Sequence, residues 1–237
     1  DLGNYHSYGL GLALSGPASD DVNYRLAANQ YKSDGFIENS HLKKSDTNNR
    51  DETSLRGKLS IQASNDLTID LAAFYFDFDN GYDAFSLDNT RETLSDQPGF
   101  DTQKTAAFSA DFTYQGFEAF TLKALVSHVD SDLAYGYDED WAYVGISDPE
   151  NIANQDFAYW EYSSTDYYFR DKSTQTIELR ALSNNGNELF NGSTSWVAGI
   201  YLKQDDEDLT RQYTYLDSNF TSTFDTQSIA VYGQLDS

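Results

Sequence analysis

The residues best suited to chemistry in this chain are aromatic. Between positions 134 and 172 stand Tyr135, Tyr137, Trp141, Tyr143, Tyr159, Trp160, Tyr162, Tyr167, Tyr168 and Phe169, followed directly by Arg170. A ring offers a flat apolar face, and a phenol or indole adds one hydrogen bond, so such a set can stack on sugar rings, catecholates or other planar ligands. Tyr135, Tyr137, Trp141, Tyr143, Trp160, Tyr162, Tyr167 and Arg170 are therefore the candidate ligand-binding residues. The competing reading is that these rings pin a loop to its neighbours or form an interfacial band.

Other chemistry finds little footing. Acidic residues cluster at Asp130 and Asp132, at Asp138-Glu139-Asp140 and at Asp205-Asp206-Glu207-Asp208. Carboxylates are hard oxygen donors, but no run has the D-x-[DN]-x-[DN]-G spacing of a Ca²⁺ loop, so solvated loop charge is expected and no metal site. His6, His41 and His128 are far apart and form no HExxH pair, and no nucleophile stands at a recognisable spacing from a base. The chain is not expected to be an enzyme. Gly9 and Gly11 lie in an alternating stretch with no helix after it, so they make no phosphate loop and no cofactor is expected.

Composition narrows the partners. The net charge of -24 leaves no basic stripe to displace counterions from phosphates, which excludes nucleic acid. Arg91, Lys104, Arg170, Lys172 and Arg211 are at most local basic points, a mild argument against a highly anionic ligand. With Cys at 0 there is neither a disulfide framework nor a thiolate metal site. Met is also 0, which suggests a mature or internal fragment whose targeting segment has been removed. No run approaches the roughly 18 apolar residues of a membrane helix, yet strands of alternating polarity escape that test.

The elements that must position these residues are strands. In the hairpin 54–78, Leu55, Gly57, Leu59 and Ile61 alternate with Ser54, Arg56, Lys58, Ser60 and Gln62. After the turn Ala63-Ser64-Asn65-Asp66, Leu67, Ile69, Leu71 and Ala73 alternate with Thr68 and Asp70. The same period of two recurs seven more times, giving about nine long strands over 237 residues. Short turns are expected near 15–21, 63–66, 115–118 and 184–194, and long loops near 33–51, 79–103, 134–172 and 204–222. Strands of about 10 to 14 residues in an up-and-down meander, with turns at one end and loops at the other, describe a transmembrane β-barrel wall with extracellular long loops. In-strand Arg25, Arg56, Lys58, Lys123, Glu178 and Arg180 then face the lumen, because a charge facing lipid at mid-bilayer costs about 2 to 4 kcal/mol. Single-chain bacterial barrels have even strand numbers, so nine strands indicate a partial barrel. A passive porin and a soluble acidic β-rich adhesin or carbohydrate-binding protein are the alternatives.

The segments YRLAANQYKSDGFIENS, ETSLRGKLSIQ, TQTIELRALS, WVAGIYLKQDDED and TQSIAVYGQLD, beginning at Tyr24, Glu52, Thr174, Trp196 and Thr226, resemble barrel segments of TonB-dependent outer-membrane receptors. Such receptors have a barrel of about 22 strands around a plug. The resemblance implies a portion of one barrel domain in the bacterial outer membrane, in contact with lipid, with the plug that meets TonB lying outside this sequence. It implies energised uptake of a scarce nutrient, with a ferric-siderophore complex as the leading ligand and an oligosaccharide or cobalamin as the alternative.

Overall fold

The computed structural model describes residues 1–146, 148, 150 and 162–236. Among them, nine strands form one antiparallel sheet in strict chain order: β1 (Tyr8–Ser19), β2 (Val22–Ser33), β4 (Arg50–Gln62), β5 (Leu67–Tyr82), β7 (Gly99–Tyr114), β8 (Phe120–Asp138), β9 (Thr165–Ser183), β10 (Ser195–Tyr213) and β11 (Phe220–Asp236). Two short strands, β3 (Glu38–Asn39) and β6 (Glu92–Thr93), pair in parallel across two loops, and α1 (Leu189–Gly192) is a single helical turn. This is the all-β, up-and-down partial barrel that the alternation predicts, open at β1 and β11.

The register sorts every strand residue onto one of two faces. One file of cross-strand neighbours is apolar throughout, running through Leu59, Leu71, Ala110, Val126, Ile177, Leu202 and Ile229. A second, through Leu26, Gly57, Ala73 and Phe108, turns polar at His128 and Gln175. Leu10, Leu12, Leu14, Leu179, Ile200 and Val231 extend this apolar band, and all are exposed. Arg25, Arg56, Lys58, Lys123, Glu178 and Arg180 lie on the other, polar face, where alternation puts them. The wall has almost no dry interior. Among the described residues Ala110 is its one buried hydrophobic side chain, and Ile37, Ala142 and Ile146 are buried in the loops instead.

The strands overrun the expected loops, most clearly at 204–222. Pairing of β10 with β11 continues to Arg211 opposite Phe220, so the connection is only 214–219. The acidic run hid this strand because its charges alternate between faces. Glu207 is met on the polar face by Lys172 and Arg170 at 3.3 and 3.4 Å, and Asp205 by Lys203 at 2.7 Å. Asp206 and Asp208 fall on the opposite face, across from Asp225 and Thr223. The expected turn at 15–21 also shrinks, to 20–21: β1 runs through Gly16 and Pro17, with a register shift before Ser19. Proline is tolerated there because β1 is an edge strand beside a bulge. The remaining long connections are 34–49, 83–98 and 139–164.

The described residues of those three connections fold onto one another above the apolar band. Asn39 donates from Nδ2 to Asp83 Oδ2 at 2.8 Å and to the Ser95 carbonyl at 2.9 Å, and Thr93 Oγ1 donates to the same Asp83 oxygen at 2.8 Å. Asn39 and Thr93 are sealed from solvent, so a complete hydrogen-bond set is what lets this polar knot persist in a dry place. His41 stacks on Tyr143 with centroids 3.9 Å apart, which ties the first loop to the third.

Candidate functional site

A site assembles where β8 and β9 rise out of the apolar band. Tyr135 lies opposite Tyr168, Tyr137 opposite Asp166, and Leu133 opposite Arg170, so Tyr135, Tyr137, Tyr168 and Arg170 share the polar face. Tyr82 of β5 meets the Tyr135 ring edge-on at 4.9 Å.

The loops close the site from above. Asp138 Oδ1 accepts the backbone N–H groups of Asp140 and Trp141 at 3.2 and 3.3 Å, a local turn in which an aspartate side chain substitutes for a backbone acceptor. This turn holds Trp141 at φ 62°, a left-handed conformation unusual for a bulky residue. Its indole thereby lies parallel to Phe85, with centroids 4.8 Å apart and planes 6° from parallel. Phe85, Tyr135, Tyr137, Glu139, Trp141, Tyr168 and Arg170 surround a pocket of about 600 Å³.

Behind it, Asp166 is held on two prongs by Arg211, Nε to Oδ1 at 2.8 Å and Nη2 to Oδ2 at 2.6 Å, and accepts the Tyr168 hydroxyl at 2.9 Å. Burial raises the Tyr135 hydroxyl above the usual phenol range, helped by its bond with Tyr82; burial and then the Asp166 charge raise Tyr137. Both therefore stay neutral phenols. They can stack and donate hydrogen bonds but are poorly suited to bind a metal as phenolates. Among the described residues, no group of three or more acidic, histidine or cysteine side chains is arranged to hold a metal ion.

Of the candidate residues, Tyr135, Tyr137, Trp141 and Arg170 come together. Tyr143 is turned to His41, and Tyr162 packs against Tyr215 with centroids 6.1 Å apart. Tyr167 is on the opposite face, over Gly136 and beside Phe100 at 5.2 Å. Trp160 lies outside the described residues. Parity alone separates Tyr167 from Arg170, and the same parity adds Tyr168. Phe85, from the middle of a polar stretch, had no periodic signal.

No family model matches the chain, and no curated protein matches its sequence. Solved structures do. The ferric yersiniabactin uptake receptor FyuA from Yersinia pestis superposes with a TM-score of 0.76 at 14% identity, covering 99% of this chain and 34% of that one. The chain has the barrel-wall fold of TonB-dependent outer-membrane receptors. FpvA of P. aeruginosa in a complex with iron and a heterologous pyoverdine gives 0.62 at 14% identity, covering 99% and 33%. The unliganded ferric citrate transporter FecA gives 0.58 at 11%, covering 98% and 33%. The chain thus spans about a third of the length of these receptors, and their barrel-wall fold is what it shares with them.

Proposed function

We propose that this chain is part of the wall of an active-transport receptor in the bacterial outer membrane, and that the pocket between Tyr135, Tyr137, Tyr168, Trp141, Phe85 and Arg170 contacts the imported ligand. In this reading the apolar band meets lipid, the polar face lines the lumen, and the loops 34–49, 83–98 and 139–164 stand outside the cell. The observation that carries it is that pocket. Its aromatic walls and single guanidinium lie on the polar face, above the apolar band, in a fold shared with proteins described as uptake receptors and transporters.

A ferric-siderophore complex is the leading ligand. The neutral phenols fit a complex that already satisfies its own iron, and Arg170, partly offset by Glu207, can meet one anionic group. The ligand is delivered inward through a plug outside this sequence and the TonB machinery. An oligosaccharide is favoured by a different observation: the parallel Phe85 and Trp141 rings beside Glu139 suit a sugar face and its hydroxyls. Cobalamin belongs with it as the further alternative. The function is transport and not catalysis.

The complete receptor in detergent, titrated with a panel of ferric siderophores, oligosaccharides and cobalamin, separates these. Saturable binding of a ferric complex that weakens about tenfold in Trp141→Ala supports the leading reading, as expected for losing an aromatic anchor. Binding of a glycan alone moves the assignment to sugar uptake. Binding unaffected by Trp141→Ala, Tyr135→Ala and Arg170→Ala removes this pocket from the path.

A further inference from the structure

The apolar band sinks at one place on its own face. In the cross-strand file Leu14, Leu26, Gly57, Ala73 and Phe108, the glycine of β4 and the alanine of β5 carry little or no bulk between larger neighbours. A Cβ built on Gly57 would meet only Leu26 Cδ2, at 3.6 Å, so the space above it is open. Leu14, Leu26, Leu55 and Tyr75 wall the resulting groove of about 440 Å³.

Above the groove, on the same face, is a polar pocket of about 520 Å³ lined by Lys32, Asp51, Asp77, Asp79 and Lys104. Tyr75 joins the two, since its ring walls the groove and its hydroxyl donates to Asp77 Oδ2 at 3.2 Å. Lys32 is ion-paired with Asp51. Lys104 lies between Asp77 of β5 and Asp132 of β8, yet among the described residues it forms no ion pair, and the Asp79 side chain accepts no hydrogen bond.

The level of this pocket follows from the strands. At the turn end of the same face Tyr114, Phe117, Phe120 and Trp196 make a run of ring contacts 4.7 to 6.3 Å apart, the pattern of an interfacial aromatic girdle. From Tyr114 this face of β7 reads Phe112, Ala110, Phe108 and Ala106 before its first charge, Lys104, ten residues away. At about 3.3 Å per residue and a tilt of about 40°, ten residues rise about 25 Å, the height of a lipid-facing band. The groove then lies at acyl-chain depth and the polar pocket at headgroup level on the loop side.

We propose that groove and pocket together hold one zwitterionic phospholipid, with a chain in the groove, its phosphate on Lys104 and its ammonium on Asp79. Three carboxylates stand beside two lysine ammonium groups, and the Lys32–Asp51 pair leaves one cation and two anions over. A headgroup with phosphate alone meets an excess of negative charge, and one with ammonium alone leaves Lys104 unmatched. A headgroup with both satisfies both. The site rests on the reading of the apolar band as the lipid side, and it holds for whichever ligand the receptor imports.

Native mass spectrometry of the complete receptor, released from nanodiscs of equal parts phosphatidylethanolamine and phosphatidylglycerol with the same chains, counts the lipid that stays bound. The wild type is expected to keep one phosphatidylethanolamine, preferred about fivefold, the upper reach of one exposed charge contact. Asp79→Asn is expected to remove most of that preference, and Lys104→Gln to lower retention of both lipids, because both carry the phosphate. Gly57→Leu fills the groove and is expected to strip both lipids; the other two variants keep the site testable if it fails to assemble. Equal retention of the two lipids, a preference for phosphatidylglycerol, or displacement by added lipid A, a phosphorylated glycolipid without an ammonium group, overturns the zwitterion. Retention unchanged in Gly57→Leu overturns the groove. A receptor that enters nanodiscs but keeps no lipid overturns the site alone, whereas one that stays dissolved without detergent or lipid removes the lipid side itself and the site with it.

Discussion

Arg211 grips Asp166 with both prongs of its guanidinium while the rings of Tyr168 and Tyr213 stand 5.2 and 4.9 Å from the guanidinium carbon. Asp166 is 2% exposed and also accepts the Tyr168 hydroxyl. A ring that lines the pocket is thus aligned by a pair that lies behind it. Lysine cannot copy a planar fork, so Arg211→Lys is expected to lower the melting temperature and weaken ligand binding together. Tyr168→Phe keeps the ring and loses one hydrogen bond, costing about 1 kcal/mol of stability. Ligand affinity and thermal unfolding of the two variants check this; an Arg211→Lys receptor indistinguishable from wild type would remove the alignment role.

Faces rather than sequence distance decide which tyrosines matter. Tyr135→Ala is expected to weaken ligand binding about tenfold, as for losing one stacked ring with its surroundings. Tyr167 lies on the face away from the pocket, opposite Gly136 and packed on Phe100, so Tyr167→Ala is expected to leave affinity unchanged. Ligand titration of the two variants reads the difference, and an equal loss in both would show that the ligand is not confined to the polar face.

The strand count, the order of the meander and the two faces were all legible in the sequence, because one continuous apolar face imposes a period of two that survives without a dry core. The site was legible in part. Tyr135, Tyr137 and Arg170 follow from parity on their strands, but Trp141 reaches the pocket only through the Asp138 turn and its left-handed backbone. Phe85 arrives through the loop knot around Asn39, whose partners are 44 and 56 residues away. Contacts of that range have no periodic signature. The strand at 204–222 was hidden for the opposite reason: above the apolar band a wall needs no apolar face, and charges on both sides look like a loop.

The knot itself is testable. Asp83→Ala leaves the buried donors of Asn39 and Thr93 without their shared acceptor, at a cost of about 2–3 kcal/mol confined to the loops. Protease cleavage within 34–49 and 83–98 should appear while the thermal midpoint of the barrel stays in place. A shift of the barrel midpoint with no new cleavage would mean that the loops do not form a unit of their own.

Lower in the wall, Tyr232 crosses Gly199 to donate its hydroxyl to Glu178, and a Cβ at 199 would stand 2.5 Å from the tyrosine Cζ. The obstructing atoms belong to the far end of a side chain that can swing away, so Gly199→Val costs about 1–3 kcal/mol of overpacking and lost bonding without abolishing the fold. Tyr232→Phe in the same background should add little further loss, because the bond is already broken; chemical unfolding of the single and double variants measures both. Additive losses in the double variant would show that the tyrosine keeps its bond over a valine.

The assignment of faces admits the most direct check. Leu179 lies mid-band, opposite Ile200 on β10 and Ala124 on β8, whereas Thr176 is on the polar face opposite Lys203 and Ser127. If the band meets lipid, Leu179→Arg places a charge near the bilayer midplane and costs about 2–4 kcal/mol. Thr176→Arg adds a charge to a face already carrying Arg25, Lys58 and Lys203, where water and polar neighbours accommodate it, so its effect stays within about 0.5 kcal/mol. Equilibrium unfolding in bilayers of the complete receptor reads both. Equal costs for the two substitutions would mean that neither face meets lipid and that the wall belongs to a water-soluble fold; a larger cost at Thr176 would exchange the lumen and lipid sides.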